Sequence, residues 1–250
     1  EIALSDEIWV TSDIGTQASI FNFQAGNGNF ANAFAEMWKV IFRANLVLQN
    51  VPNIEMDATL KDNILGEAYF LRALNYFVLV NHFGNIPLVT EPAGSLEETQ
   101  QGPVAPDLVW AQIKADLTAA IPLLPTSWDD NNKGRVMKGS ASALLGKTHL
   151  YQEEWALAAT EFSKLISGTY GNFDLTENYE DNFRESSENN IESLFEIQFD
   201  KTGAWTAGWG SDVPSTARYS SHDFDWANTE MNPWVLDLFM QETTNGGEMD

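Results

Sequence analysis

The chain has 250 residues, with an apolar fraction of 44%, enough for one large domain or two small ones and a well-buried core. Thirty-six Asp and Glu stand against 13 Lys and Arg, and a net charge of -23 repels phosphate backbones and anionic lipid heads, which disfavours nucleic acid as a partner. There is no Cys, which excludes disulfides, thiolate catalysis and Cys-ligated zinc; the three His are far apart, and no run of about 18 apolar residues offers a membrane-spanning helix.

The chain opens on Glu1-Ile2-Ala3-Leu4, without a basic segment leading into an apolar core, as in a cytosolic protein or one trimmed of its leader. Residues 1–35 read as polar and irregular, with Gly26-Asn27-Gly28-Asn29 as a loop signal. A helix is predicted from about Phe34, where Met37, Trp38, Ile41, Phe42, Asn45 and Leu46 recur at spacings of three and four; Val51-Pro52-Asn53 ends it. Residues 59–83 give the strongest helical pattern, apolar on most sides and therefore buried between neighbours. Gly84-Asn85 stops it, a short extended piece Ile86-Pro87-Leu88-Val89 follows, and the Pro- and Gly-rich residues 92–106 read as a surface loop. A third helix is predicted over 107–124, with Pro122 bending or ending it. The turn at 129–134 leads into a helix pair at 137–152 and 154–167. Residues 191–199 read as a strand, 200–234 show no helical period, and 233–240 read as a last short helix.

The helix pair carries a repeat signature. Trp155, Ala158 and Phe162 follow Gly146 by nine, twelve and sixteen residues. Small residues let two antiparallel helices approach, and the aromatics fill the groove between them, which resembles a tetratricopeptide repeat; His149 stands where that pattern has an aromatic. The fold class is therefore mainly α, tetratricopeptide-like helical hairpins with long irregular loops and a few short strands.

Five ordered segments resemble the SusD/RagB family of surface lipoproteins. The most specific is Glu67-Ala68-Tyr69-Phe70-Leu71-Arg72-Ala73-Leu74-Asn75-Tyr76-Phe77, continuing to Phe83-Gly84-Asn85-Ile86-Pro87-Leu88-Val89. Trp38 to Leu48 matches a second segment, with Phe42 where Tyr is usual. Gly134-Arg135-Val136-Met137-Lys138-Gly139 on to Tyr151, then Tyr179 to Phe183, then Glu192 to Ile197 supply the rest. The resemblance is close over 36–199. It implies an incomplete single domain in 1–250, a repeat scaffold in 36–167, and an irregular Trp-rich segment with short strands in 168–250. Against the family pattern the lipidated Cys and N-terminal helix are missing, and the chain stops where the family continues, as in an internal fragment. The resemblance further implies non-catalytic binding of glycans or other nutrients on the outer face of the outer membrane, a lipid anchor outside this chain, and delivery to a SusC-like TonB-dependent transporter, with no cofactor.

A sugar ring packs its apolar face on a flat aromatic and its hydroxyls on amides, carboxylates or Arg. Two stacks and three hydrogen bonds contribute roughly 2.5–7.5 kcal/mol before ordering costs, a micromolar to millimolar affinity. Trp205, Trp209, Tyr219 and Trp226 stand among Gly, Ser and Thr and off any helical face, with Arg218, Asp212 and Asp223 nearby to grip hydroxyls. The alternative for each is a plug under a long loop. The second candidate is the N-terminal stretch with Trp9 and Asn29, where the resemblance places part of the ligand site. Trp38, Trp110 and Trp155, at helical spacing, read as core. Arg72 reads as a buried Arg paired with a carboxylate, and His149 as a satisfied interior residue. The acidic turn at 129–134 lacks the spacing of a calcium loop, because Lys133 occupies a ligand position.

Two other functions stay open on the residues alone. A helical-repeat scaffold would bind proteins without a small ligand. A glycoside hydrolase would need two carboxylates about 5–9.5 Å apart across a cleft, and no motif singles out such a pair.

Overall fold

The computed structural model describes residues 8–10, 28–95, 100–198 and 229–231. They fall into two compact units, Phe34–Ile197 and the combination of Glu1–Ala33 with Gln198–Asp250. In the second unit, β1 (Ile8–Val10) pairs antiparallel with β2 (Thr229–Met231), with Trp9 opposite Glu230. The sequence reading had no strand at residues 8–10, and it expected short strands within 168–250 without placing one at 229–231.

The first unit is built from helices: α1 (Gly28–Asn50), which begins in the other unit, then α2 (Ala58–Phe83), α3 (Pro106–Leu123), α4 (Lys138–Tyr151) and α5 (Trp155–Ile166). Consecutive members of the series α2 to α5 pack on one another. No described helix is long and apolar enough to cross a membrane. The mainly helical, tetratricopeptide-like reading holds, and the boundaries of α2 to α5 fall within a residue of those predicted. Two elements differ. Helix α1 starts at Gly28, inside the expected loop signal, because Gly and Asn are well tolerated at a helix N-terminus. Residues 191–198 form no strand. Phe195 packs on a helix instead, its ring 5.2 Å edge-to-face on Phe70, while Ile191 and Ile197 are exposed.

Local chemistry explains the helix ends. The Asp57 carboxylate caps α2 by accepting from the Leu60 N–H at 2.8 Å, and Gly84 ends the helix at φ 67°, a backbone region that favours glycine. Pro106 sits in the first turn of α3 and Pro122 in its last. Helix α2 buries Phe70, Ala73, Tyr76, Phe77 and Leu79 against Val109, Trp110, Ile113 and Leu117 of α3 and Ile41 of α1. Trp110 meets Phe77 edge-on at 5.5 Å, and half-buried Trp38 meets Tyr76 edge-on at 5.9 Å, so both belong to the core as expected.

Trp155 does not: it is 60% exposed. Its spacing is that of the buried face, but it is the first residue of α5. Helical Cα–Cβ bonds tilt toward the N-terminus, and this carries the indole past the packed hairpin. Phe162 fills the groove alone, its ring so close to Gly146 that a Cβ there would lie 2.6 Å from it. His149 tethers the turn, its Nδ1 2.5 Å from a Glu154 carboxylate oxygen that also takes Lys114. Lys114, then His149, hold the Glu154 carboxyl below its ordinary range.

The segment Ile86 to Val89 is extended without belonging to a sheet. Side chains of α1 and α2 take the place of a partner strand. The Tyr76 hydroxyl donates to the Val89 carbonyl and accepts from the Val89 N–H, both at 2.8 Å, and Asn45 Nδ2 donates to the same carbonyl. Arg72 donates through Nη1 to the Thr90 carbonyl and to Asn45 Oδ1. Its Nε and Nη2 form a two-pronged pair with Asp116 of α3 at 2.8 and 2.6 Å, with side chains 6% and 2% exposed. Arg72 is thus the buried, carboxylate-paired residue that the sequence implied.

Candidate functional site

Among the described residues, a groove of about 260 Å³ opens between the turn that joins α3 to α4 and residues 172–196. Its floor and walls follow from the segment Gly134 to Gly139. Gly134 takes φ 84°, which turns the chain back on itself. The next residue, Arg135, sends Nε and Nη2 to the Glu67 carboxylate of α2 at 2.8 and 2.9 Å and Nη1 to Asn132 Oδ1 at 2.9 Å. The Glu67 hydrogen bond raises the Arg135 pKa further. The guanidinium carbon stands 4.2 Å from the centre of the Trp128 ring, a cation–π contact. The Trp128 N–H donates to the Val136 carbonyl at 2.9 Å, so the indole is fixed at its edge and covered on one face. Gly139 leaves room for the Phe173 ring, which would lie 2.3 Å from a Cβ at that position.

The lining combines these rings with Asn172, Asn190, Thr126 and Ser127. The Asn190 side-chain oxygen accepts from the Glu192 N–H, and its amide donates to Asn182. Residues 172–196 are anchored to α4 by Ser140, whose hydroxyl donates to the Leu194 carbonyl. A ring of about 0.5–1.5 kcal/mol stacking value, flanked by amides and hydroxyls, is the arrangement a saccharide needs. The volume lies just under the range of about 300–1,000 Å³ for small-molecule pockets, so it suits a short stretch of a chain running on across the surface.

The turn at 129–134 uses its oxygens internally. Asp129 Oδ1 accepts from the Asn131 N–H and Asn132 Nδ2, both at 3.0 Å, and Asp130 pairs with Lys133 at 2.8 Å, which holds its carboxyl below the usual range. Among the described residues, no group of three or more His, Asp or Glu could hold a metal ion.

Of the residues singled out from sequence, Trp205, Trp209, Arg218, Tyr219 and Trp226 lie outside the described residues, as does the helix predicted at 233–240. Trp9 stands mid-strand in β1, and Asn29 in the first turn of α1. The sequence reading passed over Trp128, Asn172, Phe173 and Asn190. The signal was there for one of them: Trp128 sits in Thr126-Ser127-Trp128-Asp129-Asp130, a polar loop off any helical face, which is the criterion that picked out Trp205.

Known proteins resemble this chain as follows. The SusD-like family profile, described as starch-binding and associating with the outer membrane, matches residues 5–150. A SusD-like protein P25 of Formosa agariphila is 28% identical over 172 residues, covering 68% of this chain and 32% of that protein. A solved laminarin-binding SusD-like protein is 37% identical with a TM-score of 0.66, covering 71% of this chain and 39% of the other. A SusD superfamily protein from Bacteroides vulgatus matches all of this chain and 52% of its own at a TM-score of 0.80, with 25% identity. The chain thus spans about a third to a half of the proteins it resembles.

Proposed function

Since this chain belongs to the SusD-like family, we propose that it is part of a non-catalytic, surface-exposed glycan-binding protein of the outer membrane, which passes its ligand to a SusC-like TonB-dependent transporter. The observation that carries the reading is the family match over residues 5–150, joined by the 37% identity to a protein whose name states that it binds laminarin. The helices supply a rigid frame, and aromatic residues on irregular segments hold the sugar. Trp205, Trp209 and Trp226, with Tyr219 and Arg218, remain the proposed contacts in the segment after residue 200, and Trp9 and Asn29 those in the N-terminal stretch. The Trp128 groove adds a place whose chemistry fits the same ligand.

Calorimetry of the intact protein against a panel of soluble glycans tests this. At least one glycan binds in the micromolar to millimolar range, and Trp205→Ala, Trp209→Ala or Trp226→Ala abolishes it. Product analysis after long incubation finds the glycan uncut; turnover would refute the non-catalytic reading. Co-purification from outer-membrane extracts brings down a TonB-dependent transporter.

A second reading, a protein-binding scaffold without small ligand, is favoured by one observation. Tyr151, Trp155 and Leu157 at the α4–α5 turn are each more than half exposed. If no glycan binds and Trp155→Asp releases a co-purifying protein, that reading replaces the first.

A further inference from the structure

We propose that the Trp128 groove takes an uncharged saccharide and rejects chains bearing uronate or sulfate groups; this rests on the glycan-binding reading above. A site for anionic sugars needs a cation free to meet them, ideally an Arg fork facing the ligand. Among the described residues, the two cations that line this groove are already matched. Lys133 is paired with Asp130. Arg135 spends its fork on Glu67, a further N–H on Asn132, and its flat face on Trp128.

The surroundings push the same way. Among the described residues, Lys133 and Arg135 stand with three carboxylates, Glu67, Asp129 and Asp130, and the chain as a whole carries -23. The local excess acts over a few ångströms and weakens as salt is added, because Lys133 and Asp130 are exposed. The whole-chain charge adds to it at low salt, where screening reaches beyond about 10 Å. What the groove does offer suits hydroxyls. Side-chain amides at Asn172 and Asn190 both donate and accept, as sugar hydroxyls do, and the hydroxyls of Thr126 and Ser127 match them. Because Arg135 covers one face of the Trp128 indole, a pyranose ring can stack on the opposite face alone, which limits the groove to one strand of glycan.

The test is calorimetry of the intact protein against neutral chains (laminarin, xyloglucan, soluble starch) and polyanionic ones (polygalacturonate, alginate, a sulfated galactan), at low and physiological salt. At least one neutral chain binds, no polyanion binds, and Trp128→Ala lowers the neutral affinity at least about tenfold through loss of stacking and hydrogen-bonded order. Asn172→Ala, at an exposed amide, lowers it about two- to tenfold and keeps the test open should Trp128→Ala fail to fold. Asp130→Asn frees Lys133 and raises affinity for polygalacturonate about fivefold at low salt, an increase that added salt removes. A polyanion that binds the unaltered protein more tightly than any neutral chain overturns this inference and leaves glycan binding standing. So does neutral binding unchanged by both Trp128→Ala and Asn172→Ala. No binding of either class overturns the glycan reading itself, and this inference with it.

Discussion

Replacing Arg72 by methionine leaves the Asp116 carboxylate, 2% exposed, with a single side-chain donor, Gln112 at 2.8 Å. It also strips a donor from Asn45 Oδ1 and from the Thr90 carbonyl. An uncompensated buried charge costs about 3–5 kcal/mol. Set against a total stability of about 5–15 kcal/mol, this is at least about a fifth of what holds the unit together. Asp116→Leu alone is comparably damaging, since it orphans the guanidinium. The double variant removes both charges. Its remaining deficit is two acceptors, Asn45 Oδ1 and the Thr90 carbonyl, at about 1–3 kcal/mol each. Arg72→Met carries the same deficit and an orphaned carboxylate besides, so the double variant should be more stable than it by about 3 kcal/mol or more, and its loss should fall short of the sum of the single losses. Equilibrium urea unfolding of the intact protein, followed by helical circular dichroism, measures all four corners of the cycle. Additive losses, or a single-variant loss below about 1 kcal/mol, would refute the claim that this pair is a desolvated charge couple.

Tyr76 carries a pH-dependent prediction. Burial, the largest influence, pushes its phenol from 10.0 up to about 12. The folded state therefore keeps a proton that the unfolded chain loses, and stability is fully present below pH about 10 and falls as pH rises toward about 12, by up to about 3 kcal/mol. Tyr76→Phe starts lower by about 1–3 kcal/mol, because the Val89 N–H loses its acceptor, but shows a shallower alkaline decline in melting temperature; parallel curves would refute the assignment. Gly146→Ala drives a methyl group to within 2.6 Å of the Phe162 ring and should cost about 1–3 kcal/mol in the same unfolding assay, with part of the loss recovered by adding Phe162→Leu.

How much of this was legible in the residues depends on what kind of partner each one meets. Helices α2 to α5 could be read to within a residue, because buried faces recur at helical spacing and Gly84 marks an end by local chemistry; Asp57 and Pro106 mark two starts that the sequence reading did not use. Arg72 could be read as paired, since a charge inside an apolar helix needs a counter-charge, although nothing in the sequence named Asp116. Residues 191–199 misled because an apolar run reports burial and does not say what lies opposite. Here Phe195 alone lies on Phe70 of a helix, Ile197 is exposed, and Ser140 serves the Leu194 carbonyl in place of a neighbouring strand. Trp155 misled because periodicity places a residue on a face without saying where the facing helix stops.

The same contrast separates frame from site. The segment from Glu67 to Val89 carries the strongest family likeness, and its polar residues are spent inside the fold: Arg72 on Asp116, Tyr76 on Val89, Glu67 on Arg135. Such residues are locked by burial and by partners far along the chain. The groove's lining residues Trp128, Asn172 and Asn190 sit on turns and loops with no periodic signature. Glu67 joins the two sets, because it orients the arginine that caps Trp128. On the proposed glycan reading, a change of preferred sugar is expected from substitutions at 126–128 and 172–190, while the helices stay as they are. A change at Glu67 alters the frame and the stacking ring together.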